Sequence, residues 1–313
     1  MSRFLSSFLF KLILTVVISI FIGFQVAKIN PDSIGIEFKE AEYSFRKILA
    51  SQPEMTTDNK LQSRVGSYLE EKEGEYSVYV KDLKPEGKRN VCIRCEETFE
   101  AASLYKLFLM AASYQAVYEG KLTQDSEISA KMSHLKAVYG DVDFGYESFS
   151  DEEVIAYTVG ESLDRIASVS DNFAALMLAE KIGWESIQDI ADETGQGKTS
   201  IQNPITTSSK DVGLFLEKLY NGEIVSLESS EQILDMLTKS KLNNRIPARL
   251  PEGVKIAHKT GELSRVRNDA GIVFLEGNPY VIVLMSKNLK GEDEGVENLA
   301  EISKIVYEYY NAN

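Results

Sequence analysis

Apolar positions follow three different patterns along this chain. The first is an unbroken run. Leu12-Ile-Leu-Thr-Val-Val-Ile-Ser-Ile-Phe-Ile-Gly-Phe-Gln-Val-Ala27 carries no charge and follows Arg3 and Lys11. A run of this kind is a secretory signal or an uncleaved membrane anchor. It is short for a full span, but Phe8 to Phe10 extend it past Lys11, whose stem can snorkel. Gln25-Val-Ala27 is a poor cleavage site, and no Cys follows to carry a lipid. The favoured reading is an anchor through about residues 8–27, with the basic N-terminus in the cytoplasm and the rest outside. A cleaved signal is the alternative. Residues 1–29 are therefore read as the membrane segment and 30–59 as a stalk. Within the stalk, Glu37–Leu49 suits a short amphipathic helix and Gln52-Pro-Glu-Met-Thr-Thr-Asp-Asn59 a break.

The second pattern alternates with period two, at both ends of residues 60–313. Tyr76–Leu83 and Asn90–Cys95 read as strands around the turn Pro85-Glu-Gly-Lys88. Val254–Ala257, Asp269–Leu275 and Pro279–Met285 read as three more, the last two joined by Glu276-Gly-Asn-Pro279. The third pattern has the helical period. It covers Lys60–Glu71, Ala101–Glu119 with Gly120 as its cap, and Glu297–Tyr310. Thr123 to about Gly197 is helical and loop-rich with few strand signals. Ala101–Glu119 is apolar almost all round, so it is expected to be buried on every side. Strands first and last, with helices between, predict an α/β (α+β) fold. One sheet is built from both chain ends (about 60–118 and 205–313), with helices on its faces. An all-α part, about 119–204, is inserted.

Composition narrows the function. The chain has 313 residues, 43% of them hydrophobic and 26% charged, which suits an ordinary globular protein with a sizeable core. The net charge is −14 and Lys and Arg form no basic stripe, which excludes the usual nucleic-acid binder. Cys92 and Cys95 have no second pair, and His134 and His258 are the only histidines, so a structural metal site has little to work with. The two cysteines lie in an expected strand. Structural residues or an incidental disulfide fit them better than a redox centre.

Three short motifs carry chemistry. In Ser103-Leu-Tyr-Lys106, a Ser and a Lys three apart share a helix face. A hydroxyl needs an adjacent base to become a nucleophile, and a buried Lys with a lowered pKa can serve. Placed at a helix start, Ser103 would have backbone N–H groups beside it for an oxyanion. Ser44-Phe-Arg-Lys47 and Ser133-His-Leu-Lys136 match the same pattern, but one falls in the stalk and the other in a polar, loop-like segment. Ser170-Asp-Asn172 opens the apolar run Phe173-Ala-Ala-Leu-Met-Leu-Ala, where a plain helix cap competes with a proton-relay role for Ser170 and an amide-binding role for Asn172. Lys259-Thr-Gly261 follows the apolar Ile256-Ala257. It reads either as a strand ending in a Gly turn or as a cation and hydroxyl for a substrate carboxylate, with Gly261 admitting the substrate to the strand edge.

In this order the three motifs resemble those of class A β-lactamases and penicillin-binding proteins. The likeness runs over about residues 60–310. It extends to Thr158-Val-Gly-Glu-Ser-Leu before the second motif and to Ile246-Pro-Ala-Arg-Leu-Pro-Glu-Gly-Val-Lys-Ile-Ala-His before the third. Asp269-Ala-Gly-Ile-Val273 resembles the family's next strand. The resemblance implies a five-stranded antiparallel sheet flanked by helices, with an all-α domain inserted. It implies that Ser103 attacks a carbonyl while Lys106 and Ser170 handle protons. Asn172, Lys259, Thr260 and Gly261 would hold the substrate, the N–H groups of Ser103 and Glu262 the oxyanion, and Arg245 would be a second cation near the carboxylate. Neither cofactor nor metal enters this scheme, and a monomer is expected.

One departure changes the expectation. Class A β-lactamases carry E-x-x-L-N between the second and third motifs, and its Glu activates the deacylating water. Nothing between Asn172 and Lys259 matches it. Asp192-Glu-Thr-Gly-Gln-Gly-Lys-Thr-Ser-Ile-Gln-Asn203 resembles a shortened version of that loop, with Glu193, Glu185, Asp189 and Asp192 as its acidic candidates. The first expectation is a serine enzyme that opens β-lactams through an acyl-enzyme. The second is a membrane-bound D-Ala-D-Ala peptidase with poor β-lactam turnover, and the third a non-catalytic cell-wall binding module.

Overall fold

A computed structural model describes residues 56–84, 89–139, 149–195 and 197–312. The apolar run 12–27, the helix expected at Glu37–Leu49 and the match Ser44–Lys47 lie outside the described residues. Among those described, no helix is long and apolar enough to cross a membrane.

The chain begins with β1 (Thr56–Thr57), α1 (Asn59–Leu69), β2 (Glu75–Asp82), β3 (Arg89–Ile93) and β4 (Phe99–Glu100). A 3₁₀ turn, Ala102–Tyr105, leads into α2 (Lys106–Tyr118). The middle holds β5 (Glu127–Lys131), α3 (Met132–Tyr139), β6 (Val154–Thr158), α4 (Val159–Val169), α5 (Asn172–Ile182) and α6 (Trp184–Thr194). Then come β7 (Thr206–Thr207), α7 (Ser209–Tyr220), α8 (Leu227–Leu237), β8 (Ile256–Leu263), β9 (Val266–Val273), β10 (Tyr280–Lys287) and α9 (Glu292–Asn311).

The main sheet runs β1-β3-β2-β10-β9-β8. Its five long strands are antiparallel, as the family resemblance implied, and β1 adds a two-residue parallel edge. Thr56 and Thr57, which fall within the expected stalk, pair with Arg89 and Asn90. Asp58 then caps α1 by accepting from Leu61 N at 3.1 Å.

β10 shows why this sequence makes a two-faced sheet. Side chains alternate across a strand, and every residue from Tyr280 to Ser286 is buried. Val281, Val283 and Met285 enter the cluster that holds Leu107, Phe108 and Met110 of α2. Tyr280, Ile282 and Leu284 enter the opposite cluster, against Leu61 and Val65 of α1 and Leu299, Ile302 and Val306 of α9. Helices thus cover both faces, and α2 is buried throughout its first nine residues, as its unbroken apolar surface requires.

Four expectations need correction. The helix expected from Ala101 starts with a 3₁₀ turn, and α2 proper begins at Lys106. The strand expected to end at Ala257 runs on through Lys259-Thr-Gly261 to Leu263, since each of these residues has a partner on β9. Thr123–Gly197 includes a two-stranded ribbon, β5 with β6, whose short strands lack a clear alternation. Ser133 and Lys136 lie on the exposed helix α3, not in a loop, and the Lys136 amine is held by Asp151 at 2.8 Å.

Candidate active site

The turn that carries Ser103 is fixed from three sides. Ala101 N donates to Ile205 O at 3.0 Å, beside the short pairing of β4 with β7. Asn268 of β9, with no exposed surface, donates from Nδ2 to Glu100 O at 3.0 Å and Ala101 O at 3.3 Å, and accepts from Ser286 N at 3.0 Å. The third side is Gly261. A Cβ there would lie 3.0 Å from Ala101 O, 3.1 Å from the Ala102 side chain and 3.2 Å from Ser103 N. Gly261 therefore lets the turn that leads to Ser103 lie close against the strand. Ala102 is held at φ +48°, a conformation that costs an L-residue about 1–2 kcal/mol. Ser103 follows it, half-buried, ahead of the first turn of α2.

Lys106, the first residue of α2, is wholly buried. Its Nζ donates to Ser170 O at 2.8 Å and Asn172 Oδ1 at 2.6 Å, and lies 3.4 Å from Ser170 Oγ. Burial first, then the charge of Lys259, hold its pKa well below the usual lysine value, with Asp171 opposing. A neutral amine has two hydrogens and one lone pair. In that neutral form the two short contacts would use both hydrogens and leave the lone pair free.

Ser170 and its neighbours sit where two helices meet. Ser170 ends α4 with φ +59°, and Asp171 caps α5 by accepting from Ala174 N at 2.9 Å. Arg165 fixes the buried Asp171 carboxylate from Nε at 2.9 Å and Nη2 at 2.8 Å. This holds Ser170 Oγ between the two amines. Lys259 Nζ donates to it at 2.7 Å and to Thr260 O at 2.8 Å. Burial lowers the Lys259 pKa to about 7, with Arg245 also lowering it, while Asp269 and Glu262 oppose. β8 is an edge strand of the sheet; Lys259, Thr260 and Gly261 are buried, and Glu262 and Leu263 are its residues that line the cleft.

Arg245 is also brought here, but in a form the sequence did not suggest. It has no exposed surface, and its Nη2 donates to Glu262, whose side chain is 54% exposed. Its Nε and Nη1 have no hydrogen-bond partner among the described residues. Asp269 sets this region by accepting from Ile246 N at 2.9 Å and contacting His258 Nδ1 at 2.9 Å.

Ser103 lines a cleft of about 700 Å³ together with Asn172, Glu100 and Glu262. The rest of the wall is largely apolar: Tyr105, Leu176, Trp184, Ile201, Pro204, Ile205 and Leu263 contribute. Glu193, Glu185, Asp189 and Asp192 do not line it. Glu193 and Asp189 instead line a separate hollow beside α2, and Asp192 accepts from Gln188 at 2.8 Å. Among the described residues, the short loop after α6 thus brings Ile201, Asn203, Pro204 and Ile205 to the cleft instead of a carboxylate. Cys92 and Cys95 form a disulfide on and just after β3.

An antiparallel sheet between helical layers, with Lys106, Ser170, Asn172 and Lys259 joined by hydrogen bonds beside a cleft that Ser103 and Asn172 line, defines the class: a β-lactamase/transpeptidase-like fold with a candidate serine nucleophile. The chain belongs to the beta-lactamase enzyme family, whose profile matches residues 59–310. It is similar to the solved structure of PBP-A, with 26% identity and a TM-score of 0.74 over 83% of this chain and 99% of that one. A single-residue variant of PBP-A, solved as an acyl-enzyme complex with penicillin G, has 25% identity and the same TM-score, over 83% of this chain and 100% of that one. The fold is shared with a β-lactamase from Sphaerobacter thermophilus at 22% identity and TM-score 0.70, over 81% of this chain and 97% of that one. No curated protein matches the chain.

Proposed function

We propose that this protein is a serine hydrolase acylated at Ser103 by β-lactams, opening the lactam ring and releasing the product slowly. The observation that carries this reading is Ser170 Oγ, held by Lys259 at 2.7 Å and lying 3.4 Å from a buried Lys106 amine. Ser103 Oγ adds to the lactam carbonyl and its proton passes to the Lys106 lone pair. The carbonyl oxygen gains the negative charge, for which the N–H groups of Ser103 and Glu262 are the expected donors. The intermediate collapses as the C–N bond breaks. The leaving nitrogen takes its proton from the Ser170 hydroxyl, which Lys106 resupplies. An opened ring remains as an ester on Ser103.

Hydrolysis of that ester needs a water and a base. The loop after α6 brings Ile201, Asn203, Pro204 and Ile205 to the cleft and no carboxylate; the two carboxylates of the lining, Glu100 and Glu262, stand on β4 and β8 instead. This favours a D-Ala-D-Ala-type peptide as the natural acyl donor and a β-lactam as a slowly released one. The penicillin G acyl-enzyme of a PBP-A variant supports acylation in the same fold. Intact-mass measurement of residues 56–313 with penicillin G, followed by peptide mapping and chromogenic turnover, tests the proposal. The expected result is one adduct on the Ser103 peptide that outlasts the assay. Rapid multiple turnover would refute slow release, and no adduct with any β-lactam would refute acylation.

A further inference from the structure

The lining of the cleft contains two carboxylates, Glu100 and Glu262, and no lysine or arginine. The nearby cations stand behind that surface. Lys259 is buried and its Nζ is engaged by Ser170 Oγ and Thr260 O. Arg245 has no exposed surface, and the group between it and the cleft is the Glu262 side chain, which both lines the cleft and accepts from Arg245 Nη2.

We propose that Glu262 is a specificity-determining residue. Its carboxylate occupies the anion site that Arg245 would offer, so the enzyme favours acyl donors that are uncharged beyond the scissile bond over the same donors with a carboxylate there. A ligand carboxylate arriving at this end of β8 meets a carboxylate already bound to the arginine. Like charges placed face to face oppose association, and the arginine is not free to compensate. An amide or ester at the same place meets no such repulsion. Among D-Ala-D-Ala-type peptides, the preferred donor is accordingly one whose terminal carboxyl group is masked, through a further peptide bond or an amide. This inference rests on acylation at Ser103 but goes beyond it, since the roles of Ser103 and Lys106 do not depend on the charge of the leaving part.

The experiment compares second-order acylation rates for penicillin G and its methyl ester in the wild-type domain, Glu262→Ala and Glu262→Gln. The wild-type acid-to-ester ratio is expected to be near or below one. Glu262→Ala uncovers the guanidinium and should raise the ratio by about tenfold or more, the worth of one charge-assisted hydrogen bond. Glu262→Gln removes the charge but keeps an acceptor on Arg245, so it should move the ratio the same way by less. A Ser103→Ala form titrated with a D-Ala-D-Ala peptide acid and its amide reads the same discrimination without chemistry. An unchanged or falling ratio in the folded variants overturns the inference. A shifted affinity ratio without any Ser103 adduct would leave the inference standing and overturn the acylation proposal instead.

Discussion

Lys106→Met is expected to lower the rate of Ser103 acylation by about a thousandfold, within the range of a well-placed general base. Methionine fills a similar volume in the buried site, so the loss would report the missing amine rather than a collapsed pocket. Stopped-flow acylation by a chromogenic cephalosporin measures it. The wild-type rate should fall as the pH drops, because protonation consumes the lone pair, and the lowered pKa of Lys106 places that fall well below the ordinary lysine range. Lys106→Arg keeps a cation that cannot lose its proton, so it should be as slow as the methionine variant. An arginine variant with near-wild-type rate would remove Lys106 from the base's role.

Lys259→Met should have two effects of opposite value. Acylation should slow by about a hundredfold or more, because the hydroxyl of Ser170 loses the donor that orients it. The fold, in contrast, should become more stable. Between pH 7 and 10.5 the unfolded lysine holds a proton that the folded one, with a pKa of about 7, has largely lost. The unfolded state binds more protons there, so Lys259's contribution to stability rises with pH across that window and is least favourable below it. The advantage of the methionine variant in denaturant unfolding should therefore be small near pH 10, grow as the pH falls to 7 and level off below. A shift of this size corresponds to roughly 5 kcal/mol at most, before the lost hydrogen bonds are subtracted. An advantage independent of pH would refute this account. Loss of the neighbouring charge should also raise the Lys106 pKa, moving the acid limb of acylation to higher pH.

Much of the site was legible because its motifs are local. Ser103 with Lys106, Ser170 with Asn172, and Lys259 with Thr260 each lie within a few residues, and the patterning around them suggested the right kind of element. The sheet was legible for the same reason: Tyr280–Lys287 announces a strand buried on both faces. What escaped depends on contacts across the chain. Asn268 stands 167 residues beyond Ala101, and nothing near it in sequence announces that it holds the nucleophile turn. Glu262 was read only for its backbone, since its contact with Arg245 spans 17 residues and a change of direction. Glu193, Glu185, Asp189 and Asp192 stood out as candidate deacylating acids because charge is visible in a sequence. The residues that reach the cleft, Ile201, Pro204 and Ile205, are apolar and gave no chemical signal. Gly261 has a close neighbour that its sequence did not announce, the Ala101–Ser103 turn, because a glycine signals close approach without saying what approaches.

Trp184 has a practical consequence. It is the only tryptophan in the chain, it lines the cleft, and its ring centroid lies 6.0 Å from that of Tyr105, two residues after Ser103. Its indole is partly exposed, so excitation selective for tryptophan would read out this one location and respond to a change in its surroundings. Occupancy of the cleft should thus change the emission of the entire protein without any label. The acyl-enzyme would become an optical state, whose appearance and decay can be followed in one cuvette.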